Sequence, residues 1–306
     1  MSSSAKRASA PLRPVASMAN LILERFDAVG AFLQRAGPFL EAREAEHNLI
    51  LGICSALQRG AYTEPPYLAA VVEDDRVVAT AIRTPPWQLV ISEMDDQRAI
   101  DLLVADLVHE PLPGWLGPVD AAQAFAERWQ AATGQHPLPG LSERIFRLTT
   151  VRPPTGVPGE MTRATVADRD LLIAWTNDFV DEALGGERPE PIEQVVDRGL
   201  AAGRVTYLWI DDGRPVSLAG VGGPTPHGIR IGPVYTPPEL RRRGYASALV
   251  ARASQEQLDA GKRFTFLFTD LANPTSNHIY QEIGYEPVRD VQQYRLGAGR
   301  EMARAG

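Results

Sequence analysis

Arg152-Pro153-Pro154-Thr155-Gly156-Val157-Pro158-Gly159 interrupts the chain near its middle. Three prolines and two glycines in eight residues let neither a helix nor a strand run through, so this stretch marks a domain boundary. On both sides the same order of elements is read. Tyr67-Leu68 precedes a polar turn at Asp74-Asp75-Arg76, and Tyr207-Leu208 precedes one at Asp211-Asp212-Gly213-Arg214. Paired with the matching order of strands and helices, this points to an ancient tandem duplication. A chain of 306 residues has the length for two domains of ~150 residues. The expected division is a disordered leader over 1–17, a first domain over 18–151, a linker over 152–159 and a second domain over 160–306.

In the first half, hydrophobic periodicity predicts a strand over 21–26, a helix over 38–57, a hairpin over 67–82 and a strand over 87–91. A helix over 95–108, a short strand over 114–119, a helix over 120–133 capped by Asp120 and a last strand over 145–151 follow. In the second half the pattern predicts a strand over 160–164, a helix over 168–184, a hairpin over 205–221 and a strand over 229–235. Next come a helix over 244–260 ended by Gly261, a strand over 264–270, a helix over 274–283 and a strand over 287–296. Gly232-Pro233 sits inside the strand 229–235, where proline removes a ladder donor and breaks the pairing locally.

Composition excludes some partners. The net charge is −7, from 31 basic and 38 acidic residues, which argues against broad nucleic-acid binding. No apolar run approaches the ~18 residues that cross a bilayer, so no membrane partner is expected. The single cysteine, Cys54, permits no intrachain disulfide and points to the reducing cytoplasm. Cys54 and His47 are read as core residues rather than ligands, and no metal site is expected.

The sharpest local signal is Arg241-Arg242-Arg243-Gly244-Tyr245-Ala246-Ser247, between a strand and a helix. Gly at the fourth position lets backbone approach a ligand, and the free N–H groups of a helix N-terminus suit a phosphate. Further on stands Asn273-x-x-Ser276-x-x-x-Tyr280-x-x-x-Gly284-Tyr285. Together the two patterns resemble the signatures of the GNAT acetyltransferase superfamily: Arg/Gln-x-x-Gly-x-Gly/Ala, then Asn, a small residue, Tyr, Gly and an aromatic. The close match covers about 160–296, and the first half resembles the family only in its order of elements.

That resemblance implies an α/β (α+β) fold of two tandem GNAT-like domains, each a mixed, mostly antiparallel twisted sheet flanked by helices. It implies acetyl-coenzyme A as co-substrate and an amine acceptor, attacked directly in a ternary complex. It places the pyrophosphate on Arg241, Arg242, Arg243, Gly244, Tyr245, Ala246 and Ser247. The pantetheine would lie against the backbone of Val234 and Tyr235, one N–H of which would serve as oxyanion donor. Asn273 and Asn277 are the candidates for contacting the cofactor arm. Tyr280 would protonate the leaving thiolate. Many relatives carry a glutamate on the fourth strand as base; this strand has none, so Asp270 is the first candidate and His227 the second, and an ordered water chain would also serve. Asp178, Asp181, Glu182, Glu187 and Glu190 offer negative charge to a cationic acceptor. The first half's counterpart of the phosphate loop, Ser92-Glu93-Met94-Asp95-Asp96-Gln97, has no glycine and three carboxylates, so this half is expected to have lost the cofactor. A small-molecule amine and a protein amine both remain open as acceptors, and so does a homodimer. The alternatives are a non-catalytic acyl-coenzyme A sensor and an aminoacyl-tRNA-dependent transferase. The acidic balance and the intact loop at 241–246 disfavour the latter.

Overall fold

The structure is a computed structural model describing residues 16–18, 20–186 and 188–297. Most of the expected leader, and Glu187, lie outside them. The chain forms two compact units. Unit 1 holds the described residues of Met1–Arg43, Ile53–Leu141 and Asp290–Gly306; unit 2 holds Glu44–Gly52 and Ser142–Arg289.

Unit 1 contains β1 (Ala16–Met18), β2 (Leu21–Arg25), β3 (Tyr67–Glu73), β4 (Arg76–Arg83), β5 (Leu89–Ile91) and β6 (Gly114–Pro118), with α1 (Val29–Ala42), α3 (Gln97–Leu107) and α4 (Val119–Thr133). The helix α2 (Asn48–Gln58) begins in unit 2 and ends in unit 1. Strands β1 to β5 pair antiparallel in sequence order, and β5 pairs β6 in parallel. Helices α3 and α4 bury Leu103, Leu107, Phe125 and Trp129 on Trp115 of β6. Aromatic rings fill much of this core: Trp115 lies 4.8 Å from Phe125 and 5.9 Å from Trp129 between centroids.

Unit 2 contains β8 (Glu160–Arg163), α5 (Arg169–Ala183), α6 (Ile192–Ala201), β9 (Thr206–Asp211), β10 (Arg214–Gly222), β11 (Gly228–Tyr235), α7 (Tyr245–Asp259), β12 (Phe264–Asp270) and α8 (Pro274–Ile283). Strands β8 to β11 pair antiparallel and β11 pairs β12 in parallel. Alternation along the strands gives the sheet two apolar faces. Tyr207, Val216, Ala219, Ile231 and Leu267 meet Leu249, Val250 and Ala253 of α7. Leu208, Leu218 and Tyr235 meet Leu172 and Trp175 of α5.

Both hairpins turn through paired left-handed residues: Asp74 and Asp75 at φ of 46° and 64°, Asp212 and Gly213 at 49° and 71°. Two successive positive φ values give the hairpin turn whose twist suits its strands. With the same β–α–β–α order following each hairpin, the tandem fold is a property of the whole chain.

The compact units do not divide at 152–159, because the last strand of each half belongs to the other unit's sheet. Residues 143–148 of β7 (Leu138–Leu148) pair antiparallel with β12, from Leu148↔Thr265 to Glu143↔Asp270. Residues 291–295 of β13 (Glu286–Arg295) pair antiparallel with β6, and Tyr294 stacks on Trp115 at 5.7 Å. Each exchanged strand completes the sheet beside a parallel pair.

Other expectations shift as well. Residues 16 and 17, placed in the leader, belong to β1, which pairs with β2. The single helix expected over 38–57 is two, separated where Glu44 turns its carboxylate to Thr225 and His227. Asp120 is in the first turn of α4 rather than its cap, which is Pro118. The helix α6 lies where the periodicity predicts no element.

Candidate active site

The ladder between β11 and β12 is short. It runs from Gly228↔Phe264 to Arg230↔Phe266 and stops, although β11 continues to Tyr235 and β12 to Asp270. Against β10 the register shifts between Ala219↔Val234 and Val221↔Ile231, so the extra residue falls at Gly232-Pro233. The expected break is therefore a bulge, and it coincides with the start of an opening between two parallel strands. Past that point, among the described residues, the edge of β11 facing β12 has no strand partner.

Beyond the opening, Arg242 and Gly244 both adopt positive φ, 62° and 83°. Such alternation turns successive N–H groups inward and makes an anion-binding concavity. Gly244 is the N-cap of α7 and no side chain caps this helix, so its first-turn N–H groups remain available. A Cβ on Gly244 would stand 2.8 Å from Val157 Cγ2, so packing as well as φ selects glycine here.

Not every residue named from sequence contributes its side chain. Arg241 is engaged elsewhere: Nη1 and Nη2 donate to Glu182 Oε1 and Oε2 at 2.6 Å, and Nε donates to the Thr236 carbonyl at 2.8 Å. Its hydrogen bonds hold the Glu182 carboxyl below the usual range. Tyr245 is buried in the core with its hydroxyl on Asp211. Tyr235 packs on Trp175, its hydroxyl donates to Asp178 Oδ2 at 3.3 Å, and its carbonyl accepts from Ser217 Oγ at 3.1 Å. For these three residues the backbone is what remains to offer a ligand. Of the other acidic residues, Asp181 pairs with Arg188 at 2.8 Å and Glu190 with Arg198 at 2.8 Å. The acidic patch is largely a set of ion pairs, while Glu187 lies outside the described residues.

Asn273 caps α8: its Oδ1 accepts from Ser276 N at 3.0 Å, with Pro274 next. Asn277, one turn on, donates Nδ2 to the carbonyls of Asp270 and Asn273 at 3.0 and 2.8 Å. Its Oδ1 is buried without a partner. A buried acceptor left open costs about 1–3 kcal/mol, so an amide N–H from a ligand fits it. Tyr280 is half-buried against the Leu267 core, 6.0 Å from the ring of Tyr285. Burial, then the nearby Tyr285, pushes its hydroxyl well above the ordinary value, so it keeps its proton at neutral pH. Tyr285 is structural, its hydroxyl shared between Ser254 and Thr265 at 2.9 Å each.

Of the two candidate bases, His227 precedes the closed end of the β11–β12 ladder. Its Nδ1 lies 2.7 Å from Glu44 Oε2 and its N–H donates to Oε1 at 2.7 Å. Burial would raise the Glu44 carboxyl, but the hydrogen bonds from Thr225 and His227 outweigh it and lower it. Asp270 uses Oδ1 to accept from Ala272 N at 2.8 Å. Across from it stands Glu143, which sequence reasoning did not single out. Hydrophobic periodicity starts this strand at Ile145 and within the first half, so no local signal ties Glu143 to this place.

The corresponding features of unit 1 are closed. Gly117 of β6 lies where a Cβ would meet Ile91 Cγ1 at 2.4 Å, so Ile91 fills the space between its parallel strands. The N-terminus of α3 is capped by Asp96, whose Oδ1 accepts from Arg98 N at 2.8 Å. Glu93 is buried and paired with Arg43 at 2.9 Å. A carboxylate occupies the helix end where a phosphate would bind.

Residues 172–285 match the model of the acetyltransferase (GNAT) family. They contain the opening, the uncapped helix and Tyr280. Over that stretch the chain is similar to a GNAT domain, and as a whole it shares the fold of tandem GNAT proteins. Over 91% of its length it resembles a tandem GNAT protein from the clavulanic acid biosynthesis pathway, with a TM-score of 0.54 at 13% identity and 99% of that chain covered. A GCN5-related N-acetyltransferase from Sphaerobacter thermophilus gives a TM-score of 0.54 at 19% identity, covering 92% of this chain and 96% of its own. A Drosophila protein gives 0.65 at 14% identity, with 90% and 98% covered. At these identities the likeness is one of fold. No curated protein matches the sequence. The family matched over 172–285 is one of acetyltransferases. Among the described residues, no helix is long and apolar enough to cross a membrane, and no group of three metal-ligating side chains occurs.

Proposed function

We propose that unit 2 transfers an acetyl group from acetyl-coenzyme A to an amine by direct attack in a ternary complex. The observation that carries this reading is the opening of the β11–β12 ladder after Arg230, ahead of the uncapped N-terminus of α7. The co-substrate supplies an activated acyl thioester. Around it, the N–H groups over 242–247 would hold the pyrophosphate, with Arg242 and Arg243 adding positive charge. Asn277 Oδ1 would accept from a pantetheine amide. The unpaired edge of β11 at Val234 would present a backbone N–H to the developing oxyanion. Tyr280 would donate a hydrogen bond to the departing sulfur, on the α7 side of the sheet. The buried lone cysteine fits a reducing, cytoplasmic setting, and the acidic net charge fits an amine rather than a nucleic acid as partner. The reading assigns no metal.

Calorimetric titration of the full chain with acetyl-coenzyme A tests the binding step. The expected result is one site per chain, weakened at least tenfold by Gly244→Glu; no heat from wild type would sink the reading. Thiol release with a panel of small amines and lysine peptides tests turnover. Binding without release on any acceptor would identify a sensor instead.

A further inference from the structure

We infer that Glu143, on the strand exchanged from the first half of the chain, is the general base of the acyl transfer. The inference rests on the acetyltransferase reading of unit 2 and names a residue for the role that Asp270 and His227 fill poorly. Phe266, Phe268 and Asp270 alternate onto one face of β12, and Glu143 is the direct cross-strand partner of Asp270. Arg230 reaches the same face, its guanidinium 5.8 Å from the centroid of Phe268. Leu267 points the other way, into the core where Tyr280 packs. Acid and base thus stand on opposite faces of the sheet, with the strand opening between them.

The groups facing Glu143 are Asp270 on β12 and Arg230 on β11. Burial and the Asp270 charge push its carboxyl up, Arg230 pulls it down, and the balance stands at about 7. A base poised near the working pH combines ionisation with basicity. Asp270, one oxygen tied to the Ala272 N–H, is placed to tune Glu143.

The acceptor ammonium gives one proton to the Glu143 carboxylate, leaving a neutral amine. The nitrogen lone pair forms the N–C bond, and the C–S bond breaks with its electron pair on sulfur. The second nitrogen proton leaves to solvent, and the departing thiolate, held by a hydrogen bond from Tyr280, takes a proton from solvent in its turn. Glu143 then returns its proton to water.

Two measurements on the full chain test this. In protein labelled with glutamate carboxyl carbon-13, the resonance missing from Glu143→Gln is expected to titrate near pH 7; titration in the ordinary carboxylate range overturns the proposal. Thiol release is then compared between the best amine of the panel and hydroxylamine, whose nitrogen is largely neutral at pH 7. Glu143→Gln is expected to lower kcat on the alkyl amine on the order of 100-fold and to erase the acidic limb of its pH profile. Acetyl-coenzyme A affinity and the hydroxylamine rate should stay within about threefold, which also shows that the variant folds. An equal fall on both acceptors would mark Glu143 as structural and overturn the base role. Wild type releasing no thiol with any acceptor would instead remove the acyl-transfer reading itself.

Discussion

Glu143 couples the candidate chemistry to stability. An unfolded glutamate titrates at ~4.3, and in the fold burial holds this one at about 7. The folded state therefore binds the extra proton between those values. The favourable contribution is complete below the unfolded value and is lost as pH rises through the folded one. Urea midpoints should fall from pH 5 to pH 8 in wild type and stay flatter in Glu143→Gln. A shift of this size bounds the difference at about 3 kcal/mol. Tyr280 makes a separate case. Its raised value makes outright proton loss to a thiolate unfavourable, so in the proposed reaction its part would be a hydrogen bond to the developing charge. Tyr280→Phe should lower kcat roughly 100-fold, on the scale of a single positioned donor. Calorimetry should find acetyl-coenzyme A affinity little changed.

Two helix N-termini in the same protein show opposite solutions to one problem. The first turn of any helix has N–H groups without intrahelical acceptors. In α3 the Asp96 carboxylate satisfies one of them; in α7 no side chain does, and a left-handed Gly244 leads into the turn. Asp96→Ala should cost about 1 kcal/mol in a urea melt and confer no cofactor affinity, because Ile91 still closes the space between β5 and β6. Gly244→Ala meets both an unfavourable φ of 83° and Val157. Acetyl-coenzyme A binding should weaken and the melting temperature should drop, a loss of roughly 1–2 kcal/mol from the backbone alone. Ordinary binding by this variant would show that the loop tolerates a different conformation.

At the scale of the whole molecule, the exchange of β7 and β13 governs how the chain can be divided. Cutting within 152–159 separates β13 from β6 and β7 from β12. Each fragment would then expose a sheet edge and part of an aromatic or apolar core. Fragments 1–155 and 156–306 expressed singly should be insoluble or lack cooperative melting. Co-expressed, they should recover a native circular dichroism spectrum. Soluble, cooperatively folded single fragments would contradict the assignment of these strands to opposite units.

The tandem order, both hairpins, the glycine turn that leads into α7, the Asn273 cap and the break at Gly232-Pro233 are legible in the sequence. All are local: periodicity, turn chemistry and glycine spacing act within a few residues of one another. Pairings between distant segments were not legible. Arg241 looked free until Glu182 met it, and Glu143 carried no signal because its neighbour Asp270 lies in the other half of the chain. Exchange of β7 and β13 has the same cause. An edge strand matches any partner with the right alternation, and only the closing of both cores decides which sheet it completes. The sequence determined that a glycine turn at 241–247 opens a helix. The tertiary structure decided which side chains stand around the opening, because their positions depend on contacts that span the chain.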